Sequence, residues 1–157
     1  MTDRHSVIPA VWMIIKNDKR QVFMLRRANT GWRDGSWTVP AGHVEKNEGP
    51  ISAAIRELKE EAGLTVTAGQ LSEPLIYFYP EDARENERVS LFFEVTNYDG
   101  TPVNAEPEKA DASRWFDESN LPVDMPPLLQ RAFLDIKNGV RYSERYYDDD
   151  LHKELLQ

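Results

Sequence analysis

The sequence predicts an α+β fold in a single domain, and three observations lead there. A chain of 157 residues is the size of one domain, long enough to bury about two-thirds of the surface its unfolded form exposes. Runs rich in β-branched and aromatic residues cluster on both sides of one helical segment, whereas βαβ repetition would alternate strand and helix throughout. Two segments, residues 50–62 and 126–138, combine apolar spacing of helical period with proline at the start and glycine just past the end.

Residues 1–6 read as a loose end. Residues 7–15 are the first expected strand, with Pro9 marking an edge or a strand entry. Asn17, Asp18, Lys19 and Arg20 signal a turn into a second strand, residues 21–26, and the pair reads as a hairpin. Residues 28–36 form a loop punctuated by Gly31 and Gly35, and a short strand over 37–39 ends at Pro40. After the first helix, residues 64–68, 71–79, 88–96 and 110–116 are expected strands, separated by an acidic loop at 80–87 and a polar one at 102–109. The second helix carries Leu128, Leu129, Ala132, Phe133 and Ile136 on one face. The domain is expected to span residues 1–140. An acidic tail, 141–157, follows as either a short helix or disordered chain.

Composition narrows the function classes. A net charge of −8 argues against binding polymeric nucleic acid or an anionic membrane. A small phosphorylated ligand stays compatible if cations screen it. No apolar run approaches the roughly 18 residues of a membrane span, and the first residues lack the apolar core of a signal peptide. A cytoplasmic protein is the expectation. Without cysteine there is no thiolate nucleophile and no cysteine-ligated metal.

The first helix carries the chemistry. Pro50 suits its first position and Gly63 the left-handed residue after its end. Ile51, Ala54, Ile55, Leu58 and Ala62 make its apolar stripe. Glu57, Glu60 and Glu61 stand at i, i+3 and i+4, so three like charges crowd one region and two lie at the negative end of the helix dipole. A solvated acidic face is the ordinary reading of such a cluster. A divalent cation would instead relieve the repulsion, since hard cations take carboxylate oxygens. Glu57 and Glu61 flank the apolar stripe, whereas Glu60 points further out.

From Gly42 to Leu64 the chain resembles the Nudix hydrolase signature. Gly42, five residues, Glu48 and seven residues precede Arg56, Glu57, Leu58, Glu60, Glu61, Gly63 and Leu64, so all nine specified positions are filled. The approach through Trp37, Thr38, Val39 and Pro40 also resembles the family, as does the stretch from Glu106 through Trp115 to Pro122. The resemblance implies an α-β-α sandwich with a mixed β-sheet, a catalytic helix and a C-terminal helix. It implies hydrolysis of a nucleoside diphosphate linked to another group, with Mg²⁺ or Mn²⁺ as cofactor. It assigns catalysis to Arg56, Glu57, Glu60, Glu61 and Glu108, and metal to Glu57, Glu60, Glu61 and the Ala41 carbonyl. Gly42, Glu48 and Gly63 support the motif; Glu48 either ligates or caps the helix. The general base is Glu108, Glu106 or a motif glutamate.

Substrate contacts are expected from Arg26, Arg27 and Arg33, which suit phosphate, and from Trp32, a large aromatic in a polar loop. Trp12, Trp37, Tyr77, Phe78, Tyr79 and Trp115 could also stack a base, but their ordinary reading is packing. Met125 stands before Pro126 where relatives that clean oxidised purines often carry Trp, and Pro80 lies where ADP-ribose hydrolases tend to have proline. The leading expectation is a (d)NTP pyrophosphohydrolase. ADP-ribose or another nucleoside-diphosphate compound is the alternative, and a non-catalytic nucleotide sensor a further one. The expected partner is a small nucleotide substrate, and the protein is expected to be a monomer or homodimer.

Overall fold

The computed structural model describes residues 4–79 and 88–144. Its elements run β1 (Ile8–Ile15), β2 (Gln21–Arg27), β3 (Trp37–Thr38), β4 (Ala41–His43), α1 (Pro50–Ala62), a 3₁₀ turn (Ala68–Gln70), β5 (Leu75–Tyr79), β6 (Arg88–Val95), β7 (Ala110–Asp117), α2 (Pro127–Lys137) and β8 (Tyr142–Glu144).

Alternation along the strands builds the layers. Val11, Met13 and Ile15 of β1, with Phe23 and Leu25 of β2, pack with Ala53, Ala54, Leu58 and Ala62 of α1. Trp12, Ile14, Val22 and Met24 point the other way and pack with Leu129 and Ala132 of α2. The strands therefore lie between two helices, the α-β-α sandwich expected. A five-stranded sheet has the order β4-β1-β6-β5-β8, and a three-stranded one β3-β2-β7. The first is mixed: β1 runs parallel to β6 and β5 to β8, while β4 and the β5–β6 pair are antiparallel.

Several local expectations need correction. β1 and β2 are not a hairpin. The turn closes, with Asn17 Oδ1 accepting the Gln21 N–H at 3.0 Å, but the strands share a bridge at Lys16 and Val22 and then separate into different sheets. Each finds a longer partner, β6 and β7 respectively. Residues 64–68 alternate as a strand does, and Leu64 and Val66 are buried, yet they lead into the 3₁₀ turn capped by Thr67 and Gln70 rather than a sheet. β5 starts at Leu75, four residues later than expected, with Leu71 bridging Val95. Tyr142–Glu144 is an edge strand on β5, neither helix nor disorder. The rest of the tail and the loop at 80–87 lie outside the described residues.

The helices end as the sequence indicates. Gly63 adopts φ 66°, its N–H bonds to the Lys59 carbonyl and that of Leu64 to the Leu58 carbonyl. The last two carbonyls of the helix, of Glu61 and Ala62, accept the N–H groups of Ala105 and Val103 at 3.0 Å each. This docks residues 101–109 onto the acidic end of α1. In α2 the buried Asp135 accepts from the Tyr77 hydroxyl and from Arg131 Nε, tying the helix to β5.

Candidate active site

α1 and β4 meet at a point that only glycine permits. A Cβ on Gly42 would lie 2.0 Å from Glu57 Oε1 and 2.1 Å from its Cδ. The Glu57 carboxylate thus fills the space of a side chain at 42. Arg56 locks it there. Its guanidinium donates to both Glu48 oxygens at 2.9 Å, to Glu57 Oε1 at 2.7 Å, to Glu60 Oε2 at 3.3 Å and to the His43 carbonyl at 3.0 Å. These bonds raise the Arg56 pKa further above its ordinary range. Glu48 makes no capping bond to α1; it is one jaw of this clamp, which holds its pKa low through Arg56 and the Glu45 N–H.

One turn further on, Glu61 Oε2 accepts the Ala41 N–H at 2.9 Å. Burial pushes Glu61 up to about 8; the Ala41 bond opposes the rise, and Glu57 and Glu106 add to it. Glu57 is also raised, again mainly by burial and against the pull of Arg56. The two inner carboxylates are therefore poorly solvated.

The pair lines a cleft of about 920 Å³, within the range of small-molecule sites. Of the residues singled out in the sequence, the cleft brings together Ala41, Gly42, Glu57, Glu61, Arg27, Trp32 and Arg33. Arg27 Nε donates to the Trp32 carbonyl at 2.8 Å, and its guanidinium stacks 4.8 Å from the Trp32 ring centre. The Arg33 guanidinium is 5.6 Å from the same centre. Asp34 fastens this loop by accepting from Thr30 Oγ1 and the Gly31 N–H.

Six expected site residues lie outside the lining: Arg56 and Glu48, which reach it through Glu57, Gly63 at the end of α1, and Arg26, Glu108 and Glu60. Arg26 makes a bidentate pair with Asp111 at 2.6 and 3.1 Å. Leu25 and Arg27 line the cleft, so strand alternation turns Arg26 away. Glu108 is exposed and does not line the cleft, whereas Glu106 does. The turn bonding the Lys109 and Ala110 N–H groups to the Glu106 carbonyl puts Glu106 and Lys109 on the cleft side. Glu60 sits beyond Arg56, half exposed, and is not part of the lining.

The cleft also contains residues that sequence reasoning passed over. Trp12 read as packing, yet its ring lines the cleft while its N–H bonds Ser90 Oγ at 3.1 Å. Tyr79 shares that serine at 3.2 Å. Arg88 Nη1 meets His43 Nε2 at 2.6 Å on the same wall. The signal available was strand phase: Ala10 and Trp12 alternate on one face of β1, but only the fold shows that this face ends in a cleft.

The residues fit a divalent cation. Among the described residues no three carboxylate or imidazole groups close a coordination shell alone. Mg²⁺ does not need one, because it keeps waters and shares substrate phosphates with one or two carboxylates. Two crowded, desolvated carboxylates beside a backbone strand, with glycine clearing the space, form such a donor set.

Known proteins resemble this chain in sequence and in fold. The 8-oxo-dGTP diphosphatase of Escherichia coli (strain K12) is 29% identical over 126 residues, covering 79% of this chain and 92% of that protein. The RNA pyrophosphohydrolase of Halorhodospira halophila (strain DSM 244 / SL1) is 42% identical over 64 residues, 41% of this chain and 33% of that protein. A MutT NUDIX hydrolase crystal structure from Burkholderia pseudomallei superposes with a TM-score of 0.72 at 22% identity, covering 84% of this chain and 99% of that one. The class is that of hydrolases acting on acid anhydrides. The NUDIX domain model matches residues 7–135, and the chain belongs to the Nudix family.

Proposed function

We propose that this enzyme hydrolyses the pyrophosphate linkage of a nucleoside triphosphate, ribo- or deoxyribo-, with Mg²⁺ or Mn²⁺. The observation that carries the reading is that one cleft is lined both by Glu57 and Glu61 and by Trp12, Trp32 and Tyr79. A polyphosphate meets the carboxylates through divalent ions, and a base meets the aromatics, where stacking contributes about 1–3 kcal/mol. The relative named 8-oxo-dGTP diphosphatase, which the match spans almost end to end, supports a triphosphate substrate.

When bound, the ion neutralises phosphate charge and lowers the pKa of a water. Glu57, Glu61 and the Ala41 carbonyl would hold it. Arg56 keeps Glu57 aimed through its bonds to Glu48. Water adds to one phosphorus, the bond from that phosphorus to the bridging oxygen breaks, and the water's proton passes to a carboxylate of the cluster, for which we assign Glu106. Arg27 and Arg33 contact the phosphates.

Screening (d)NTPs, ADP-ribose, dinucleoside polyphosphates and nucleotide sugars with each metal tests this. The highest kcat/KM should fall on a (d)NTP. A preference for ADP-ribose or a dinucleotide would overturn the substrate, and nucleotide binding without any phosphate release would make the protein a sensor.

A further inference from the structure

The cleft holds a cation that the reaction scheme has not used. Lys109 Nζ pairs with Glu106 Oε1 at 2.9 Å, its side chain 58% exposed against 22% for Glu106. Its backbone is fixed on both sides: the N–H bonds the Glu106 carbonyl at 2.9 Å, and its own carbonyl accepts the Ala28 N–H at 2.8 Å. The loop carrying both residues is in turn tied to Glu61 through the Ala105 N–H. Lys109, Glu106, Glu57 and Glu61 line the same cleft, and all three carboxylates favour the charged lysine. Lys109 is thus the lysine that lines the cleft with the carboxylates, on a flexible stem whose root is hydrogen-bonded on both sides.

A divalent cation arriving at Glu57 and Glu61 brings two positive charges beside this one. Like charges repel, and Glu106 gains more from a divalent ion than from an exposed ammonium. A polyphosphate brings the negative charge that a released ammonium needs. Lysine suits such an exchange better than arginine, being a compact point charge with rotatable donors.

We propose that Lys109 is a substrate-binding residue that exchanges partners: it pairs with Glu106 in the metal-free enzyme and moves to a substrate phosphate when a divalent ion at Glu57 and Glu61 supplies the positive charge beside Glu106, which stays free to act as the base. This rests on the metal-dependent nucleotide hydrolysis proposed above.

The test has two arms. In the first, Mn²⁺ binding is titrated by EPR without nucleotide, in wild type, Lys109→Met, Glu106→Gln and the double variant. In the second, affinity for non-hydrolysable α,β-imido-dGTP is measured with saturating Mn²⁺, in wild type, Lys109→Met and Lys109→Arg. Lys109→Met should bind Mn²⁺ about two- to fivefold tighter, the size of a half-exposed ion pair, and this gain should vanish in the Glu106→Gln background. The same variant should bind the imido-nucleotide about tenfold more weakly, the loss of one hydrogen bond to a charged group, with Lys109→Arg recovering most of it. Unchanged or weaker Mn²⁺ binding by Lys109→Met, or unchanged nucleotide affinity, overturns the proposal. Wild-type turnover of dGTP reads the functional proposal separately. Its absence with both binding arms as expected would remove the hydrolase substrate and leave the exchange.

Discussion

Gly42 and Glu57 occupy one another's space: the carboxylate lies where a Cβ at 42 would be, 2.0 Å from its ideal position. Gly42→Ala should therefore displace Glu57 and leave the fold intact, since the obstruction is a side chain and Gly42 is not among the residues with positive φ. We expect kcat/KM to fall about 100-fold, as for an ångström-scale misplacement, and Tm by about 4 °C or less. A large loss of Tm with full activity per folded molecule would contradict this role.

Arg56 holds Glu48 with two donors and Glu57 with a third. Lysine cannot reproduce that planar fork. Arg56→Lys should lower kcat about 10- to 100-fold, the usual cost of losing an outer-shell partner, with metal affinity also weakened. Steady-state kinetics and Mn²⁺ titration of the same preparation check both.

Glu106 and Glu108 are two residues apart and separate cleanly in prediction. Glu106→Gln should cut kcat about 100-fold or more, in the range of a lost acid–base group. Glu108→Gln should keep near-normal turnover, because its side chain lies outside the cleft.

Burial raises Glu61 to about 8 from an ordinary 4.5. The folded state thus binds a proton that the unfolded state has released over this interval. Glu61's contribution to stability is full below pH 4.5 and is lost as pH rises through about 8. Metal-free protein should show a falling Tm between pH 5 and 9, and saturating Mg²⁺ should remove most of the fall. Below about pH 4 the trend reverses, as Asp34, Glu48 and Asp111, all held low, take up protons. Thermal melts across this range, with and without Mg²⁺, measure it.

The helix was legible because its signals are local. Pro50 and Gly63 bound α1 where they stand, and the spacing of Gly42, Glu48, Arg56, Glu57 and Glu61 carries the geometry of the carboxylate cluster. Residues whose roles depend on facing were not legible. Arg26 and Arg27 are chemically identical neighbours, and only the registry of β2 against β7 sends one to Asp111 and the other to the cleft. Glu106 and Glu108 differ by the phase of one turn. β1 and β2 carry a genuine turn between them, but the competing pairings with β6 and β7 are long-range and leave no local mark. Asp135 reads as the polar side of α2, and only Tyr77 and Arg131 explain its burial.

The central claim is that Glu57 and Glu61 bind a divalent ion and, with it, cleave a nucleotide anhydride. Its most direct test is release of pyrophosphate from a (d)NTP by wild type and Glu61→Gln, with Mg²⁺ and with EDTA. We expect release by wild type with Mg²⁺, none with EDTA, and a loss of at least about 1,000-fold in the variant, alongside weakened Mn²⁺ binding. Undiminished release by Glu61→Gln, or by wild type in EDTA, would contradict it.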